Sequence, residues 1–205
     1  IETYIEKGKD EIIIPVPTFA MFKFYAELNE AIIKEVAYTN ELGFPTQKIL
    51  DNITNRTKII VLVNPNSPTG TSIKNEDITE IIDKAQKNNT IVLIDEAYYE
   101  FYGSTSIPLI KKYNNLIITR TFSKAFGLAG LRLGYVVSNK DNINNIKKAS
   151  SPYSINTIAV ICALASLKEL DYVKLYVQEI KEARSLVYEA LNFLGIEYYK
   201  SDANF

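Results

Sequence analysis

Three runs of this chain, Lys58–Val63 ("KIIVLV"), Thr90–Ile94 ("TIVLI") and Asn115–Thr119 ("NLIIT"), are rich in β-branched residues and apolar almost from end to end. A strand wetted on one face alternates polar and apolar residues, so strands without that alternation are covered on both faces. Further short runs at Glu11–Pro15, Ala31–Ala37 and Gly134–Ser138 are spaced by amphipathic segments, the pattern of an α/β domain with a large, mostly parallel sheet flanked by helices. Asn75 opens one such helix, with Glu76 and Asp77 in its first turn and Ile78, Ile81, Ile82 and Ala85 at helical spacing. A long amphipathic pattern runs from Leu170 to Leu194, with Val173, Val177, Ile180, Ala183, Val187, Leu191 and Leu194 on one face and Gly195 as its stop. After it, "IEYY" reads as a new strand, the beginning of a smaller C-terminal domain. The opening "IETYIEKGKD" reads as the last turns of a helix, so the chain is expected to be an interior piece of a longer protein.

Composition then removes whole classes of chemistry. The 205 residues contain no histidine, so no Ser-His-Asp or Cys-His site, imidazole base or histidine metal ligand lies within them. Acid-base work near neutral pH falls to Lys, Tyr, Asp or Glu. A net charge of -1 gives no reason to expect nucleic acid or an anionic membrane as a partner, and no apolar run reaches the length of a membrane span. The single cysteine, Cys162, sits among Ala, Val, Ile and Leu, which excludes a disulfide framework, suits a reducing compartment and reads as a buried thiol.

Ligands of open α/β sheets bind at the carboxyl ends of the strands. Four segments fall there: "PVPTFAMF", "VNPNSPTG", "DEAYYEF" and "RTFSKAFGLAGLR". Asp95 closes an apolar strand, where a lone carboxylate is costly; taken alone it is as readily a helix cap. An apolar run ending in "DE" also suits a nucleotide hydrolase, but the Gly-rich lysine loop of that class is absent. Lys124 alone is a surface lysine, yet its neighbours are small or apolar, with no acidic residue beside it. Thr121 and Ser123 add hydroxyls, Arg132 a guanidinium, and Gly127, Gly130 and Gly134 allow close backbone approach. Hydroxyls with an arginine suit a phosphate dianion.

In "PNSPTG", "DEAYYEF" and above all "RTFSKAFGLAGLRLGY", the chain resembles the pyridoxal-phosphate-dependent aminotransferases of fold type I, the class I/II group, and within it most closely the histidinol-phosphate aminotransferases. The likeness runs in order from "PVPTFAMF" to "SDANF". It implies a large cofactor-binding domain over 1–168, lacking its N-terminal part, and a linking helix with the start of a truncated small domain over 169–205. It implies that Lys124 forms a Schiff base with pyridoxal 5′-phosphate and shuttles the proton, that Asp95 pairs with the pyridine nitrogen, that Tyr98 hydrogen-bonds the phenolic oxygen and that Phe19 stacks on the ring. Thr121, Ser123 and Arg132 would hold the phosphate; Tyr99, Phe101 and Tyr102 are assigned to packing. The family has asparagine immediately before the loop proline, where this chain has Ser67 preceded by Asn66. Either Ser67 acts through water, Asn66 swings in, or Tyr98 makes that contact alone. The implied reaction transfers an amino group between L-histidinol phosphate and 2-oxoglutarate, on small amino-acid and oxo-acid substrates, in a cytoplasmic protein that is a homodimer at full length. Transamination of aromatic amino acids or decarboxylation of a phosphorylated amino acid would use the same lysine; a scaffold without activity is the reading outside enzymes. The glycine-containing loop, partner-reaching arm and substrate-binding arginine of the family fall outside 1–205, so these residues alone are expected to bind the cofactor weakly and turn over poorly.

Overall fold

The computed structural model describes residues 1–205. Its strands are β1 (Glu11–Val16), β2 (Ile32–Ala37), β3 (Thr57–Val63), β4 (Ile91–Asp95), β5 (Leu116–Thr121) and β6 (Gly134–Ser138), joined in one sheet in the order β2-β1-β3-β4-β5-β6. The first five are mutually parallel and β6 runs antiparallel to β5. Each of the six strands expected between Glu11 and Ser138 is present, and the parallel majority follows from the crossover segments between successive strands.

The unbroken apolar runs have the expected cause. On one face, Ile60, Leu62, Val92, Ile94, Leu116 and Ile118 pack against Ile78, Ile81, Ile82 and Ala85 of α3 (Asn75–Lys87). On the other, Ile12, Ile14, Ile59, Val61 and Val63 meet Ile5 and Ala26, the latter from α1 (Met21–Leu28). Each fully buried Ile, Leu or Val contributes about 1.5–3 kcal/mol, so these two layers dominate the cohesion of the sheet. α3 also matches its own dipole, with Glu76 and Asp77 in its first turn and Lys84 and Lys87 in its last. Helix α2 (Thr46–Asn52) shields the same face through Ile49 and Leu50, while α5 (Lys140–Ala149) follows β6.

A third cluster fixes the C-terminal helix. Short helix α4 (Tyr99–Tyr102) presents Phe101, which packs with Tyr98, Ala125, Ala203 and with Val173 and Val177 of α7 (Leu170–Phe193). Beyond Ile180 the expected apolar stripe is not covered: Val187 and Leu194 are exposed. α7 ends as its sequence requires, with Gly195 at φ +67° and the Ile196 amide donating back to the Leu191 carbonyl at 3.0 Å. Between α5 and α7 lies α6 (Thr157–Ser166), where Cys162 is half-buried rather than buried.

Two further expectations fail. "IEYY" is not a strand: Tyr198 stacks on Tyr188 at 4.7 Å, and the Tyr199 hydroxyl donates to the Asn40 carbonyl, so these side chains hold the segment where no neighbouring strand edge pairs with it. "IETYIEKGKD" forms two separate turns, not a helix end; Gly8 at φ +69° and the Asp10 carboxylate, which accepts from the Glu6 amide, shape the second. No helix is long and apolar enough to cross a membrane.

At the amino end of β1, Glu11 is buried and accepts from Lys34 at 2.9 Å, Arg56 at 2.8 Å, Thr54 and Thr57. Burial alone would raise its pKa, but Lys34 and the two threonines outweigh that and hold it at about 2. With a folded pKa below the unfolded 4.5, the contribution is complete above about pH 4.5 and is lost as pH falls toward 2. Glu11→Gln should lower unfolding stability by about 3 kcal/mol at pH 7, with the difference from wild type closing between pH 4.5 and 2 in chemical denaturation. A difference independent of pH would show that the carboxylate is not held by charge.

Candidate active site

The carboxyl ends of β1, β3, β4 and β5 each feed one of the four singled-out segments, and the structure brings all four to one place. Phe19, Val63, Ser67, Asp95, Ala97, Tyr98 and Lys124 surround a cleft of about 60 Å³. Phe19, in the lining, is 48% exposed. A larger groove of about 620 Å³, beside Ile1, Phe22, Tyr25 and Leu93, carries Glu2, Lys7 and Asn29 but neither Asp95 nor Lys124.

Asp95 is the last residue of β4, paired in register with Thr119 of β5. Thr119 Oγ1 donates to its carboxylate at 3.1 Å, the one side-chain hydrogen bond it has. Apolar strands on either side desolvate it, and this raises its pKa to about 6 despite Thr119, the Ala97 amide and the Lys124 charge, which lower it; Glu96 next door raises it further. Lys124 lies in the turn after β5, half-buried, with no carboxylate within ion-pair distance. Its ammonium sits 4.8 Å from the centroid of the Tyr98 ring, a cation–π contact. Tyr98 is buried, with the Phe205 ring edge-on to it at 5.2 Å.

The Ser67/Asn66 alternatives are separated by hydrogen bonding. Asn66 is fully buried, its Nδ2 donates to the Pro17 carbonyl at 2.9 Å and to Thr69 at 2.8 Å, and its Oδ1 accepts from Thr18 at 2.8 Å. An amide so engaged does not swing into the cleft; it pins the Phe19 segment to the β3 loop. Ser67 lines the cleft instead. On the far side of the same loop, the Asp202 amide donates to Gly70 O and the Ser72 hydroxyl to Asp202, while a Cβ at Gly70 would collide with Ser201.

The remaining sequence-derived residues lie on the Lys124 loop but not around the cleft. Thr121 Oγ1 accepts from the Ser123 amide at 3.0 Å, which tightens the turn entering Lys124. Ser123 is half-buried in that turn, and Arg132 is exposed, at φ +53°, with Nη1 donating to the Ala129 carbonyl. Of the three glycines, only Gly134 makes a close approach, its would-be Cβ falling 2.7 Å from the Arg120 carbonyl oxygen; Gly127 serves a left-handed turn and Gly130 is open. Tyr99, Phe101 and Tyr102 face away from the cleft, and Tyr99 carries the Arg120 guanidinium 3.3 Å above its ring. Arg120 and its buried partner Glu96, 24 residues apart, were not apparent from the sequence, because only the β4–β5 register makes them neighbours.

The cleft thus brings together a desolvated carboxylate short of donors, an amine without a counter-ion and an aromatic at the rim. Fold and site together define an α/β protein with a lysine and a desolvated carboxylate in one cleft at the strand ends. The chain belongs to the aminotransferase class I and II family, whose model matches residues 1–205. It is 40% identical over 204 residues to the histidinol-phosphate aminotransferase of Thermoanaerobacter sp. (strain X514), a match covering 98% of this chain and 57% of that protein. The crystal structure of the histidinol-phosphate aminotransferase from Clostridium acetobutylicum superposes with a TM-score of 0.89 at 28% identity, over 95% of this chain and 60% of that one. That from Sinorhizobium meliloti, solved in complex with pyridoxal-5′-phosphate, shares the fold with a TM-score of 0.88 at 23% identity, over 97% and 55%. The chain thus spans little more than half the length of the curated relative it matches.

The raised pKa of Asp95 has a stability consequence. Its folded pKa of about 6 exceeds the unfolded 3.8, so in the cofactor-free protein stability falls as pH rises from about 4 to 6, and the full cost stands above pH 6. Asp95→Asn should therefore be more stable than wild type by about 2–3 kcal/mol at pH 7.5 and equal to it near pH 3. Denaturant titrations at the two pH values check this, and a destabilised variant at pH 7.5 would mean that the carboxylate is already satisfied.

Proposed function

We propose that this chain is the cofactor-facing part of a pyridoxal-phosphate-dependent histidinol-phosphate aminotransferase, moving an amino group between L-histidinol phosphate and 2-oxoglutarate. The observation that carries the reading is the convergence of Phe19, Ser67, Asp95, Tyr98 and Lys124 from four separate loops on one cleft. The likeness to relatives of that name supports the substrate assignment. When bound, pyridoxal 5′-phosphate supplies the aldehyde and the electron-withdrawing ring that transamination needs.

The chain's residues do the rest. Asp95 would hold the protonated ring nitrogen, whose charge would offset the desolvation that raises the carboxylate's pKa in the free protein. Lys124 provides the amine beside that carboxylate and carries the substrate proton, a role that suits an amine free of any salt bridge. Phe19 would stack on the ring, and the Tyr98 ring lies against the Lys124 amine. Ser67, which lines the cleft, would take the place of the family's asparagine toward the phenolic oxygen, since the Asn66 amide is occupied. Thr121, Ser123 and Arg132 are assigned to the phosphate, which requires Arg132 to leave the Ala129 carbonyl. Residues 1–168 are read as the large domain and 169–205 as the link into the small one; the whole protein is read as a cytoplasmic homodimer.

Pyridoxal phosphate added to the full-length protein should produce visible absorbance that Lys124→Ala abolishes, with transamination falling on the order of 10²–10⁴-fold or more. Half-reaction rates with histidinol phosphate, phenylalanine and threonine phosphate then test the substrate. The first should be fastest; faster reaction of phenylalanine would make the protein an aromatic aminotransferase, and carbon dioxide release from threonine phosphate would make it a decarboxylase.

A further inference from the structure

Behind the candidate site, on the opposite face of the same two strand ends, lies a second charged pair. Side chains alternate along β4 and β5, so Asp95 and Thr119 share one face while Glu96 and Arg120 share the other. Arg120 is buried, and its Nε and Nη2 donate to Glu96 Oε2 at 3.0 and 2.8 Å, with Nη2 also reaching Thr105 at 2.7 Å. Its guanidinium plane stacks on Tyr99, and its cross-strand neighbour in β6 is Tyr135. Glu96 is likewise full: beyond Arg120 it accepts from Thr105 at 2.8 Å and from the Ser106 amide at 2.6 Å. This geometry places a buried carboxylate one residue from Asp95 and a buried guanidinium four residues before Lys124.

On the reading that this is the cofactor site, we infer that Arg120 is a positioning residue: by holding Glu96 in a buried, forked ion pair, it locks the β4 end to the β5 end and screens Asp95 from the negative charge beside it. Three observations carry this. The pair joins the two segments that bear Asp95, Tyr98 and Lys124. Arg120's Nε and Nη2 donors go to Glu96 and Thr105, although Glu100 lies nearby with Oε2 lacking any partner. And Glu96 disfavours the charged form of Asp95, so removing its counter-charge must be felt across the sheet. The titratable and charged groups around the pair are Glu100 and Tyr99 from α4 and Tyr135 from β6; those around Asp95 are Glu96 and Lys124. Burial raises the Glu100 pKa to about 7, so Glu100 is partly neutral at physiological pH and is the weaker rival for Arg120.

The test reads Asp95 directly, by carbon-13 NMR of its carboxyl group in the full-length protein freed of cofactor. Arg120→Gln should move the Asp95 midpoint up by about one pH unit, Glu96→Gln should move it down by a similar amount, and the double variant should return it to within a few tenths of wild type. A midpoint that stays put in Glu96→Gln overturns the inference, because packing alone would leave Asp95 unmoved. If Arg120→Gln does not fold for want of a partner for Glu96, the downward shift in Glu96→Gln and its reversal in the charge-free double variant still decide the matter. The titration needs no cofactor, so failure of the protein to bind pyridoxal phosphate would sink the proposed function and leave this result standing.

Discussion

The constraint on which the site depends is the desolvation of one carboxylate. Asp95 stands at the end of a strand whose neighbours are Ile, Leu and Val, and it has one side-chain hydrogen bond where an ionised carboxylate can accept several. A group in that position either takes a proton or meets a positive partner, and its raised pKa records the unmet demand. Lys124 stands in the same cleft with a Tyr98 ring and no carboxylate in ion-pair range. The fold holds two opposite charges close enough to influence each other and leaves both short of partners, which is how a ligand bearing complementary groups is bound without first breaking an internal pair.

The sheet makes this arrangement possible because apolar layers cover both of its faces. With Ile, Leu and Val residues buried on both faces, the strand ends are fixed well enough to carry a locally unfavourable group. The satisfied charges are kept elsewhere: Glu11 among Lys34, Arg56 and two threonines at the amino end of the sheet, and Glu96 with Arg120 on its back. These carboxylates are saturated with partners, whereas Asp95 is not.

Much of this was legible in the sequence, for definite reasons. Uninterrupted apolar runs admit few structures besides doubly covered strands, and the four loops at their carboxyl ends had to meet once the strands were parallel. Phe19, Ser67, Asp95, Tyr98 and Lys124 do meet. What the sequence hid were properties of pairing. "IEYY" has the alternation of a strand, but a strand needs an edge to pair with, and stacking of Tyr198 on Tyr188 holds it otherwise. Asn66 looked as available as Ser67 until the three partners of its amide were counted. The Glu96–Arg120 pair is set by register across 24 residues, a separation that no local pattern reports. Thr121, Ser123 and Arg132 share the lysine loop by sequence, yet proximity along the chain did not place them around the cleft.

The position of the Lys124 amine beside Asp95 is the claim on which the functional reading turns. Its most direct test is reductive trapping: the full-length protein is incubated with pyridoxal phosphate, treated with borohydride, digested, and its peptides weighed. The pyridoxyl group should be found on the peptide containing residue 124, at one group per chain. Its appearance on another lysine, or scattered over many, would contradict the role given to this amine and, with it, the partnership with Asp95.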